Sequence, residues 1–207
     1  MKRYFITLSL LAIVAMAAMA QLTARTAFAE APSSVFPLLD KLTRLDMIDY
    51  FEAGSKVESV NALEGASAVT SLSDESLTVH LTDASDVQLF VVPTAKSDAV
   101  IGVITTVATP GHDSSLALYS GRWKRLDGLF TAPKLADWLT DPRRSAEVEI
   151  VVPFMLTSYL YNPADKTLTL TNNLKGFLSD DIYSMVDGLV RPSLVYRWDG
   201  NRFVRQK

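Results

Sequence analysis

The stretch Ser76-Leu77-Thr78-Val79-His80-Leu81-Thr82 alternates strictly, with Leu77, Val79 and Leu81 on one side and the polar residues on the other. Successive side chains of a strand point to opposite faces, so a period of two reads as a half-buried strand. Working toward the C-terminus, apolar runs at 87–92, 100–107 and 116–119 follow, separated by turn clusters such as Pro110-Gly111-His112-Asp113. Spacing this short predicts antiparallel hairpins. The theme returns in the last third of the chain. Segments 154–161 and 166–171 bracket Asn162-Pro163-Ala164-Asp165, and segments 193–198 and 202–205 flank Asp199-Gly200. An Asp-Gly pair between alternating apolar residues is a strong hairpin signal, because both turn positions need positive φ. Read as a two-residue turn, it puts Trp198 opposite Asn201 and Arg197 opposite Arg202.

Helical spacing interrupts this pattern. Val35, Leu38, Leu39, Leu42, Leu45, Ile48 and Phe51 share one face, which predicts a turn of helix at 36–40 and a firmer helix at 44–53. Thr43 with Asp46 has the form of a variant capping box, and Gly54 is a stop signal. A second helix is expected at 133–139, with Leu135, Trp138 and Leu139 inward. It ends at Asp141-Pro142 because the residue before proline is pushed out of helical space. Residues 147–152 fit either element. A third helix is expected at 179–190, capped by Ser179, with Asp180 and Asp181 in its first turn and Ile182, Met185, Val186 and Leu189 on one face. The fold class expected is α+β, antiparallel β-sheets with helices packed on one side. Thr70-Ser71 followed by 74–79 resembles Thr157-Ser158 followed by 165–170, and Tyr119 with 121–125 resembles Tyr196 with 201–205. These pairs suggest a tandem duplication of a helix-plus-hairpins unit, halves 34–128 and 129–207, within one compact domain at 30–207.

The N-terminus reads as an export signal. Met1-Lys2-Arg3 supplies the charges and Tyr4 to Ala20 the apolar run, broken only by Thr7 and Ser9. Small residues sit at signal-peptidase spacing twice, as Ala18-Met19-Ala20 and as Ala27-Phe28-Ala29. The second cut is favoured, since Glu30-Ala31-Pro32 opens a polar, turn-prone segment, so residues 1–29 are assigned to the cleavable signal. No cysteine follows, which closes the lipoprotein route. The expected product is periplasmic or secreted, with no membrane span after cleavage. Cleavage removes Lys2, Arg3 and Arg25 and no acid, so the formal charge of −3 becomes more negative. An acidic surface argues against nucleic acid as partner, because phosphate binding needs the opposite sign. A cysteine-free exported protein is held by burial alone.

Pro37-Leu38-Leu39, Arg44-Leu45-Asp46-Met47-Ile48-Asp49-Tyr50, Thr70 to Asp74 and Tyr196-Arg197-Trp198-Asp199-Gly200 resemble an uncharacterised family of exported Bacteroidales proteins, domain-of-unknown-function family 3256. The resemblance runs in order from about Val35 to Val204. It implies a single exported module that often stands alone, and it brings no activity, substrate or catalytic residue.

The chemistry-bearing residues are sparse. Of the two histidines, His80 falls on the polar face of a strand and His112 in a Gly-His-Asp turn beside Asp113, where neighbours point apart. With no cysteine and no His-x-x-x-His spacing, neither a metal nor another cofactor is expected. No Gly-x-Ser-x-Gly elbow, Walker loop or dinucleotide fingerprint occurs. Asp46 and Asp49 share a helix face and read as a solvated face or as partners for Arg44.

Positive charge gathers late. Arg191, Arg197, Arg202, Arg205 and Lys207 face only Asp199, while Arg122, Lys124 and Arg125 flank Trp123. Arg197 opposite Arg202 is unfavourable unless an acid bridges the pair, either internal or from an anionic glycan or lipid head group. The candidate partner-binding residues are therefore Arg122, Trp123, Lys124, Arg197, Trp198 and Arg202. The function expected is a non-enzymatic exported envelope module binding a protein or glycan partner. The alternatives are a hydrolase using carboxylate or histidine chemistry, and a periplasmic chaperone or inhibitor, which predicts an exposed apolar groove.

Overall fold

The computed structural model describes residues 21–95, 99–108 and 110–206; the basic and apolar stretches expected to form an export signal lie outside them. The element order is α1 (Ala24–Ala29), α2 (Lys41–Glu52), β1 (Ser59–Val60), β2 (Ala66–Leu72), β3 (Ser76–Thr82), β4 (Ser85–Val92), β5 (Val100–Ala108) and β6 (His112–Ser120). Then come α3 (Leu135–Trp138), α4 (Ser145–Val151), β7 (Thr157–Asn162), β8 (Thr167–Asn172), α5 (Asp180–Val186), β9 (Ser193–Trp198) and β10 (Phe203–Arg205). Every strand pairing is antiparallel, in a six-stranded sheet of order β1-β2-β3-β4-β5-β6 and a four-stranded sheet of order β10-β9-β8-β7. The fold is α+β, as expected. The two sheets differ in strand number, and α5 enters between the second and third strands of the smaller one.

The larger sheet is covered on both faces, which explains why Val87 to Val92 and Val100 to Ile104 are apolar at nearly every position. One face carries Leu77, Val79, Leu89, Ile101 and Val103 against Ala27, Phe28, Leu39, Met47 and Ile48 of the helical layer. The opposite face carries Phe90, Val92, Val100, Ile104 and Leu118 against Leu168, Leu170, Leu194, Tyr196 and Phe203 of the smaller sheet. At the centre of that contact Phe90 stacks on Tyr161, with centroids 4.0 Å apart. The Phe90 ring also lies over its cross-strand partner Gly102, whose missing side chain makes the space. Any Cβ there would overlap the ring.

The smaller sheet meets the larger one through an unusual joint. Its edge strand β7 would leave alternate N–H groups unpaired, and side chains of the larger sheet take them. Asp113 Oδ1 accepts from Thr157 N at 3.1 Å, Ser114 Oγ from Tyr159 N at 3.0 Å, and Gln88 Oε1 from Tyr161 N at 2.9 Å. Gln88 Nε2 returns a bond to the Tyr161 carbonyl at 2.8 Å. The edge is thereby closed to strand addition.

Several local expectations need correction. The helix around Arg44 begins earlier, at Lys41, because Asp40 rather than Thr43 is the cap: its Oδ1 accepts from Thr43 N at 2.7 Å. Residues 36–40 form turns. Residues 145–151 resolve as helix. Strands β1 and β2 lacked a readable pattern, since Ser67 is buried in β2 and bonded to the Leu81 carbonyl and Asn61. Asp199-Gly200 is not the two-residue turn. Asp199 N donates to Arg202 O at 3.0 Å, which centres the turn on Gly200-Asn201 and pairs Trp198 with Phe203 and Arg197 with Val204. Asp199 Oδ1 accepts from both Asn201 N and Arg202 N at 2.8 Å, a local bond that fixes the shifted turn. The expected Arg197–Arg202 clash does not exist, and no anion is needed to relieve it.

The six residues 24–29, assigned above to the leader, form α1. It is capped by Thr23 and packed in the core between the helical layer and the larger sheet, with Ala24 and Phe28 fully buried.

Candidate functional site

The residues singled out in the sequence do not converge. Trp123 sits at φ 61° in the turn after β6, half-buried against Tyr119 at 5.3 Å, and belongs to the helical side of the larger sheet. Its neighbours Arg122 and Lys124 are exposed. Trp198 belongs to the opposite core. It is buried, its Nε1 donates to Pro93 O at 2.9 Å, and its ring meets Phe203 at 5.1 Å. Arg197 is exposed and donates to the Asp165 carbonyl at 3.3 Å, and Arg202 is exposed in the turn. Arg205 pairs with Asp137 at 3.0 Å and also reaches the Asp137 carbonyl. The late basic cluster is thus partly internal pairing.

Arg44 does not pair with Asp46 or Asp49. Its guanidinium is buried and donates to the carbonyls of Phe28, Leu39, Ala29 and Ala31, between the Phe28 and Phe36 rings. Burial pulls its pKa below the ordinary arginine value, while the fields of Asp40 and Glu30 oppose that. Asp49 instead lies 3.7 Å from Arg25.

A histidine–carboxylate pair does exist, in a different place from the one the sequence offers. His112 is the first residue of β6, exposed and paired across the ladder with Ala108, while the Asp113 carboxylate is spent on β7. His80 Nδ1 lies 3.0 Å from Asp86 Oδ1, directly across from it on β4. Only the register reveals that pairing. No hydroxyl is hydrogen-bonded to His80 among the described residues, and no group of three or more metal-ligating side chains is found among them.

One cleft was not legible in the sequence. It has a volume of about 340 Å³ and lies where β6, β7 and α3 meet. Asp113, Ser114, Thr157 and Tyr159 supply its polar wall, and Leu135, Trp138, Phe154 and Met155 its apolar wall. The hydroxyl of half-buried Tyr159 is held above the ordinary phenol range by burial first and by the Asp113 charge as well, with a Thr157 hydrogen bond opposing. The apolar wall reaches the surface at Phe154. Phe154 is 51% exposed and meets Phe177 at 5.6 Å, and Ile150 and Met185 are 83% and 63% exposed on α4 and α5. The signal that could have found it was the set of apolar positions left over once the inward faces of the helices are assigned. Met185 shares its expected face with Ile182, Val186 and Leu189, and of these Val186 is the one buried within α5.

No described helix is long and apolar enough to cross a membrane. No curated protein matches the chain. A solved structure, that of a domain of an uncharacterized protein from Porphyromonas gingivalis W83, is similar with a TM-score of 0.71 at 22% sequence identity. The match covers 88% of this chain and 96% of that one. That share is larger than the stretch from Glu30 to Lys207 could supply, so the common fold reaches back into α1. The family described as "Protein of unknown function (DUF3256)" matches residues 15–203, nearly the whole sequence, and the chain belongs to that family.

Proposed function

We propose that this protein is a non-enzymatic exported module whose working surface is the α3–β6–β7 cleft with its apolar rim, and that the surface takes a protein partner. One observation carries the reading: Phe154 on the cleft wall and Phe177 against it remain exposed beside a cleft whose carboxylate and serine are already used to hold β7. Large apolar side chains grouped on a surface mark interaction sites, and aromatic anchors contribute most of the binding energy at such sites. Polar groups committed to backbone bonds are poorly placed to move protons, which favours recognition over hydrolysis. The same exposed rim is what a chaperone or inhibitor would need. A glycan partner remains the reading of the Trp123 and Arg197–Arg202 surfaces.

Affinity capture from the organism's own envelope extract tests this. Phe154→Glu with Phe177→Glu should abolish capture of the partner while leaving the melting temperature within about 3 °C, since both side chains are exposed. Capture that survives this change but fails on Arg197→Glu with Arg202→Glu would return the site to the basic hairpin.

A further inference from the structure

We propose that export processing cuts after Ala20, so that the mature protein begins at Gln21 and keeps α1 as part of its core. The inference rests on the export reading and narrows it. Sequence spacing alone leaves two sites, after Ala20 and after Ala29. The tertiary role of residues 24–29 separates them.

A cut after Ala29 would delete α1 and with it Ala24, Ala27, Phe28 and Ala29, all buried against Leu39, Met47, Ile48 and the larger sheet. It would remove the Phe28 ring that meets Phe36 edge-on at 5.1 Å. It would also remove the Phe28 and Ala29 carbonyls that accept from Arg44. The guanidinium cannot shed its proton, so it would be left as a buried charge with half its cage gone. The ties from Ala24 N to the Asp74 carbonyl at 2.7 Å and from Arg25 to Glu52 at 2.9 Å would go too.

The position of the two sites points the same way. A leader peptidase works where the apolar run emerges from the bilayer. Ala20 closes that run, whereas Gln21, Thr23, Arg25 and Thr26 separate it from Ala29. These intervening residues have a structural use, since Thr23 and Thr26 exchange the reciprocal bonds of a capping box that starts α1.

N-terminal sequencing and intact mass of the native exported protein provide the test. A start at Gln21 is expected. A start at Glu30 would overturn the inference and leave export standing, whereas a start at Met1 would overturn both. As a second arm, Ala20→Phe should leave the precursor unprocessed; an equal yield of chain starting at Glu30 would overturn the assignment. As a third, the chain 30–207 should melt at least about 10 °C below 21–207 or lose its cooperative transition. Equal melting temperatures would refute the core role of α1.

Discussion

Arg44 is the residue that most changes meaning between sequence and structure. On an amphipathic helix beside Asp46 and Asp49 it reads as a surface ion-pairing group, yet it is 2% exposed and bonded to carbonyls at the end of α1 and in the loop before α2. Backbone carbonyls carry no sequence signal, so the cage was invisible. Arg44→Met, which keeps the length and removes the donors, should cost at least about 3 kcal/mol in urea unfolding, because several buried acceptors lose their partner at once. Gly102 is the second such residue. Gly102→Ala should cost about 3 kcal/mol by overpacking against Phe90. That penalty should shrink in the Phe90→Ala background, and a double-mutant cycle with no coupling would refute the contact as its cause.

Elements were more legible than their joints. The strand at 76–82 was read from its alternation, and β3 spans those residues. The helices near 135 and 180 were placed but overestimated in length, since α3 and α5 stop at Trp138 and Val186. The β9–β10 register was missed because Asp199 caps its own turn by side-chain bonds, a choice between near-equal local geometries. The docking of β7 onto Gln88, Ser114 and Asp113 could not be read locally at all, since Gln88 and Tyr161 are 73 positions apart. Gln88→Leu should cost about 2 kcal/mol by stranding the Tyr161 N–H and carbonyl. Amide exchange at Tyr161 should accelerate, and unchanged exchange would refute the role of Gln88.

For the whole molecule, ionisation sets the limits of stability at both ends of the pH scale. Several carboxyls lie below their ordinary range in the folded state: Asp40 through the Thr43 N–H, Glu52 through Arg25, Asp141 through Arg143 and Glu147 through Arg144. Groups depressed in this way stabilise above their unfolded pKa and lose that contribution as pH falls, so the melting temperature should decline below about pH 4. Tyr161 is displaced the other way, chiefly by burial and then by the charges of Asp165 and Glu75, and burial also raises Tyr159 and Tyr196. The unfolded chain then loses protons first, and stability should fall above about pH 10. Tyr161→Phe should flatten that alkaline arm in a melting series against pH, and an unchanged slope would assign it to other groups.

The sequence by itself determined the α+β class, the antiparallel hairpins and the sparse catalytic inventory, because periodicity and composition are local properties that survive in any packing consistent with them. Tertiary structure alone decided that the larger sheet is buried on both faces, that His80 rather than His112 meets a carboxylate, and that residues 24–29 form a core helix. Each of these depends on which distant segment fills a given space, and burial energy is settled by that partner rather than by the segment's own pattern.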